Sequence, residues 1–174
     1  MPESPGKEWI AKWSQHDPAK ANAMLDAIGL TKKDAEGYRL RTDNGERLRL
    51  QIDVAQTLNP TWPQQAEMVI QQWRAVGIAA DLKVLERSLF FTRLRNDQHQ
   101  LALFSNSGSE SLFTYPILAL PTDPSGSLMG SAYSQYYASN GAQGMKPREP
   151  EMLRVYELMH SASSLPDEIG RAHV

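Results

Sequence analysis

Residues 48–108 switch back and forth between two hydrophobic periods, and this alternation constrains the fold more than any other feature of the chain. Leu48, Leu50, Ile52 and Val54 alternate with Arg49, Gln51 and Asp53, the pattern of a strand with one buried face. Asn59-Pro60 or Thr61-Trp62-Pro63 then opens a helix with an apolar face of Ala66, Val69, Ile70, Trp73 and Val76, and Gly77 ends it. Residues 78–85 read as a second strand. Ser88 is expected to cap a short helix through Phe90, Phe91 and Leu94, and residues 101–104 read as a third, fully apolar strand. Strands joined by helices pair in parallel through right-handed crossovers. The expected class is α/β, a mostly parallel βαβαβ sheet.

A β-hairpin arm precedes that sheet. Residues 38–40 and 48–54 flank Asp43-Asn44-Gly45, and Asn-Gly readily takes the positive φ of a tight turn. Further upstream, Asp17-Pro18 supplies a capping carboxylate and a proline at the first helical position. Ala21, Met24, Leu25 and Ile28 then form one stripe, and Gly29 stops the helix. Downstream of Ser105 the character changes. Residues 105–147 are rich in Ser, Gly, Pro, Asn and Tyr, with short apolar islands, and partial order is expected there. Pro150 opens a last helix with Met152, Val155, Tyr156 and Met159 on one face. The domain plan that follows is an extension at 1–16, an α/β core at 17–106, a loop-rich segment at 107–147, a helix at 148–167 and a tail at 168–174.

Charge and residue types narrow the function. The formal net charge is -2 and no Lys/Arg face repeats, so neither nucleic acid nor a membrane surface is an expected partner. There is no cysteine, which excludes disulfides and thiolate metal sites. His16, His99 and His160 lack the short spacing that sets two metal ligands on one helix face. The string Ser107-Gly108-Ser109-Glu110-Ser111 is neither a nucleophile elbow nor a phosphate loop. No catalytic residue, metal or cofactor is expected, and the reading is binding rather than catalysis.

The candidate ligand site is the polar loop after the third strand, where open α/β sheets bind ligands at the carboxyl ends of their strands. Asn106, Ser107 and Ser109 carry short hydrogen-bonding groups. Gly108 lets a ligand approach the backbone, and Glu110 offers a partner for an ammonium group. Phe113 and Tyr115 are candidates to line a cleft, against the plainer role of loop anchors. Gln56 and Thr57, at the end of the first strand, are weighed in the same way and read as an ordinary loop. Trp73 belongs to the core. Trp9 and Trp13, four residues apart, would pack on a part of the protein beyond this chain.

The strings KANAMLDAIGL, DAEGYRL, GERLRLQIDV and AEMVIQQWRAVGIAADLKVLE, in that order and spacing, resemble the C-terminal lobe of family 5 extracytoplasmic solute-binding proteins. These are the oligopeptide-, dipeptide- and nickel-type receptors of ABC importers. The likeness covers roughly residues 18–106, and residues 138–144 with the last helix are similar to a subgroup. It implies part of a type II periplasmic-binding-protein-like lobe, truncated at both ends. It also implies a peptide-like small solute held in an interlobe cleft, a missing N-terminal lobe, an inner-membrane permease as partner, and a periplasmic or extracytoplasmic location. The segment Met1-Pro2-Glu3-Ser4-Pro5-Gly6 lacks the regions of a signal peptide, in keeping with a truncated start. Oligopeptide-type relatives carry an anchoring Asp in a similarly placed loop; here Ser109 or Glu110 falls nearest. Ile169 to Val174, after Glu168, match one reading frame of a common sequencing adapter and are set aside, His173 included. The alternative from another class is a flavodoxin-like enzyme or regulator with a cofactor or phosphate site at residues 105–110. It needs about five parallel strands.

Overall fold

The computed structural model describes residues 7–8, 12, 14–105 and 116–165. Among them, residues 7–90 and 99–104 form one compact unit, the sheet unit, and residues 91–98, 105 and 116–165 form a second, the helical unit.

The sheet unit begins with helix α1 (Pro18–Ala27). Asp17 caps it by accepting the Lys20 N–H at 2.9 Å. Gly29, at φ +91°, closes it in a Schellman turn, with Leu30 N–H donating to Leu25 O and Gly29 N–H to Asp26 O. Its apolar stripe differs from expectation. Ile28 is 69 % exposed and Met24 is exposed too, and no residue of the helix is buried. A polar contact holds α1 instead. Arg39, 1 % exposed, donates to Asp26 Oδ1 (2.6 Å), Asn22 Oδ1 (2.6 Å), Val76 O (2.8 Å) and Leu30 O. The hairpin arm reduces to one isolated bridge, Leu40 to Arg47, around a turn in which Gly45 has φ +73°, and a second bridge, Lys33 to Arg39, encloses the preceding turn at residues 34–38.

Strand β1 (Arg49–Ala55), helix α2 (Trp62–Ala75) and strand β2 (Ala79–Leu85) follow. β1 and β2 pair in parallel from Arg49↔Ala79 to Ala55↔Leu85, as the alternation of periods requires. Strand β3 (Leu101–Ala102) pairs in parallel on the other side of β1, giving the order β2-β1-β3. The third strand is shorter than its apolar run, although Leu103 N–H still donates to Asp53 O. Ile52, Val54, Trp62 and Ala66 form the core, with Val69, Ile70, Trp73, Leu82 and Leu101 packed on it. Full burial of one such aliphatic side chain stabilises by about 1.5–3 kcal/mol.

Helix α3 (Arg87–Arg95) starts within the sheet unit. Glu86, not Ser88, caps it: its carboxylate accepts from Ser88 N–H at 2.7 Å and from the Ser88 hydroxyl. Those bonds hold the Glu86 carboxyl below its ordinary pKa. The helical unit contains a 3₁₀ turn at Pro116–Leu118, helix α4 (Ser131–Ala138) and helix α5 (Pro150–Ser163). Tyr156, Met159 and Ala162 are the buried face of α5. Asp97, at φ +50°, accepts from Ser131 N–H (3.1 Å), Ser131 Oγ (2.7 Å) and Ala132 N–H (3.2 Å), which caps α4 from outside the helix. Trp9 and Trp13 lie outside the described residues.

Candidate functional site

The carboxyl ends of the three strands come together because the pairing is parallel and the register is tight. Ala55 lies opposite Leu85, and Asp53 opposite Ala102. The chain therefore leaves β1 at Gln56, β2 at Glu86 and β3 at Leu103, all along one edge of the sheet. Crevices at such edges are where ligands meet open α/β sheets.

Three features shape this edge. Leu58 N–H closes a turn on Ala55 O at 3.0 Å, and that turn leaves Gln56 and Thr57 exposed. Phe104, where β3 runs out, packs against Trp62 (centroids 5.8 Å apart) and stacks with Phe90 (6.4 Å), so the exit of β3 is anchored by aromatics. Asp53 sits on the central strand, two residues before its last residue, Ala55. It is 1 % exposed, and its Oδ1 accepts from Gln51 Nε2 at 2.6 Å. A buried carboxylate requires such bonds, because taking the charge out of water is costly.

Sequence reasoning missed Asp53 as a buried group. The alternating pattern assigns it to the solvent face, whereas β1 lies between two strands and its second half is buried at every residue, Ile52 through Ala55. The signal available was the third apolar run at 101–104, which makes β1 central rather than an edge. Arg39 was likewise legible only as part of the Asp34-Ala35-Glu36-Gly37-Tyr38-Arg39 string, not as the buried cation it is.

The other site residues taken from the sequence, Asn106, Ser107, Gly108, Ser109, Glu110, Phe113 and Tyr115, lie outside the described residues. Gln56 and Thr57 are brought to the sheet edge. His16, His99 and His160 do not gather, and among the described residues no group of three His, Asp or Glu side chains is arranged to hold a metal ion. Three parallel strands are described, short of the roughly five of a flavodoxin-like domain.

Comparison with known proteins gives a consistent result. The family model described as bacterial extracellular solute-binding proteins, family 5 Middle, matches residues 1–127. Among solved structures, the chain is similar to an oligopeptide-binding protein, OppA, at 25% identity and a TM-score of 0.81, covering 99% of this chain and 29% of that one. It is similar in fold to NikA from Brucella suis, solved with Fe(III)-EDTA, at 22% identity and a TM-score of 0.64, covering 90% of this chain and 28% of that one. It is also similar in fold to the periplasmic binding protein MelB from Agrobacterium fabrum, solved with stachyose, at 19% identity and a TM-score of 0.71, covering 90% and 23%. The chain thus spans less than a third of the length of these structures. No curated protein matches it.

Proposed function

The chain belongs to the bacterial extracellular solute-binding proteins of family 5, and from that premise we propose that it forms part of the ligand-binding lobe of an ABC-importer receptor. The family is solute-binding and non-enzymatic, and its members are extracytoplasmic. No described helix is long and apolar enough to cross a membrane. The observation that carries the reading is the family match over residues 1–127, and the likeness to an oligopeptide-binding protein supports a peptide-like solute.

In this reading the carboxyl edge of the sheet forms one wall of a cleft, and a second lobe from the rest of the receptor forms the other. Asn106, Ser107, Gly108, Ser109 and Glu110 follow β3 after three intervening residues in the sequence and supply polar contacts, with Phe113 and Tyr115 stacking on the ligand. Closure of the two lobes about a hinge buries the solute. The closed form then docks on an inner-membrane permease. Solute contacts are divided between lobes, so this chain alone binds weakly or not at all.

Calorimetry on a two-lobed receptor carrying this chain tests the proposal, with short peptides, a nickel chelate and an oligosaccharide titrated in turn. One solute class is expected to bind saturably at one site per receptor, with compaction seen in small-angle scattering. Binding of a flavin or nucleotide, with none of the solutes bound, would instead favour the flavodoxin-like alternative.

A further inference from the structure

The helical unit contains a groove of about 360 Å³ walled by α4, α5 and the loop at 139–146. Small-ligand sites are typically about 300–1,000 Å³. The floor of the groove is fixed. Tyr156 Oη donates to Pro121 O at 2.9 Å and also bonds Tyr133 O at 3.2 Å. The Tyr137 ring packs against Tyr156 (4.7 Å between centroids) and stacks on His160 (4.5 Å). The loop wall is fixed as well. Gln143 N–H donates to Ser139 Oγ at 2.8 Å and Met145 N–H to Ala132 O at 2.9 Å. Gly144, at φ +78°, approaches α4 so closely that a Cβ there would stand 2.6 Å from Tyr136 N. Pre-formed walls reduce the ordering cost of binding.

Every polar side chain lining this groove except the Glu157 carboxylate can donate a hydrogen bond: Lys146 donates only, and the tyrosine hydroxyls, Asn140 and His160 donate or accept. Among the described residues the Lys146 ammonium makes no ion pair, and the Tyr136 and Tyr137 hydroxyls make no hydrogen bond. Asn140 adds an amide. The one carboxylate in the lining, Glu157, is already held by Arg154 at 3.0 Å. Lys146 is therefore the uncompensated charge, set beside the ring surfaces and Leu153.

We propose that this groove binds a small organic anion, a carboxylate on an aromatic or aliphatic body. Lys146 is the charge partner, the phenol hydroxyls are neutral donors, and Leu153 with the tyrosine rings accommodates the apolar part. The inference is independent of the sheet edge and of the receptor reading.

Benzoate titrated into the full chain and followed by ¹H–¹⁵N NMR is the test. Saturable shifts confined to α4, α5 and residues 139–146 are expected at millimolar benzoate. Lys146→Gln is expected to weaken binding about tenfold or more, the loss of one charge-assisted bond. Glu157→Gln is expected to keep binding intact or tighten it, because it releases Arg154. Both side chains are exposed, so both variants should retain the fold, which their thermal unfolding checks. The proposal is overturned by the absence of saturable shifts in the wild type, by unchanged affinity in Lys146→Gln, or by loss of binding in Glu157→Gln. The last outcome would mean that binding depends on the Glu157 carboxylate, which an anion site with Lys146 as its charge partner does not need.

Discussion

In the sheet unit, Ile52, Val54, Trp62 and Ala66 bury against one another beneath a continuous parallel ladder. In the helical unit, deeply buried side chains include Ser127, Ser131 and Ser134, each engaged in hydrogen bonds. Ser127 Oγ accepts from Thr122 N–H (3.1 Å) and Asp123 N–H (3.0 Å), and Ser134 Oγ donates to Ser131 O at 2.8 Å. The first unit rests on area removed from water, which tolerates volume-conserving exchange. The second buries Leu94, Met159 and Ala162 as well, but adds individual polar partners, and each partner lost leaves a buried group unsatisfied. Asp53 and, above all, Arg39 are the exceptions on the sheet side. Arg39 is a buried cation whose bonds tie α1, the hairpin arm and the end of α2 to one point.

Arg39 gives the largest expected effect and the sharpest way to break the contrast. Arg39→Ala is expected to cost about 3–5 kcal/mol, because Val76 O, Leu30 O and Asn22 Oδ1 each lose a donor and the large buried side chain leaves a void behind. Urea denaturation followed by tryptophan fluorescence measures it. A loss well under 1 kcal/mol would mean that the apolar core and ladder alone carry the sheet unit (roughly the value of one net hydrogen bond).

Tyr156→Phe tests the helical unit next. It removes the donor to Pro121 O and Tyr133 O, and is expected to cost about 1–3 kcal/mol in thermal or urea unfolding. The pH dependence gives an independent readout. Burial first, and then the neighbouring Tyr133 and Tyr137, push the Tyr156 hydroxyl up from 10.0 to about 12. The folded state thus favours the neutral phenol. Its contribution is fully present below pH 10 and is lost as the pH rises towards about 12. Tyr156→Phe should remove that alkaline loss, seen as a flatter stability profile over the same window.

The smallest expected effect is that of Asp97→Ala, which strips the cap from α4 and should cost about 0.5–2 kcal/mol. Amide exchange in the first turn of α4, at Ser131 and Ala132, should rise by more than in α5. Equal change in both helices would show that Asp97 acts through the whole unit rather than as a local cap.

The same contrast explains what the sequence made legible. β1 and β2 lie within a residue of their alternating runs, and α2 carries its stripe from Ala66 to Val76, because burial imposes a period. Asp17, Gly29 and Gly45 could be read because caps and tight turns require particular residue types. The stripe on α1 misled, because Asp26 and Asn22 rather than Met24 and Ile28 make its main described attachment. The α3 cap went to Glu86 because the helix starts at Arg87, two residues earlier than a Ser88 cap requires, and the Glu86 carboxylate reaches the Ser88 and Leu89 N–H groups as well as the Ser88 hydroxyl. The latch between Asp97 and Ser131 and the bonds of Tyr156 to two carbonyls link residues 23 to 35 positions apart, and no local period announces them. At the sheet edge the strand exits were legible from the pattern. Asp53 was not, since its burial depends on which strand is central.

The central claim, that the carboxyl edge of the sheet and the loop after β3 bind solute, is tested most directly at Glu110. Calorimetry on the two-lobed receptor would compare wild type with Glu110→Gln for one cationic and one neutral solute that both bind. The expected result is a loss of about 1.5–3 kcal/mol, roughly ten- to a hundredfold, for the cationic solute alone. Unchanged affinity for every cationic solute that binds would contradict the role of Glu110 and leave only the loop backbone as a candidate.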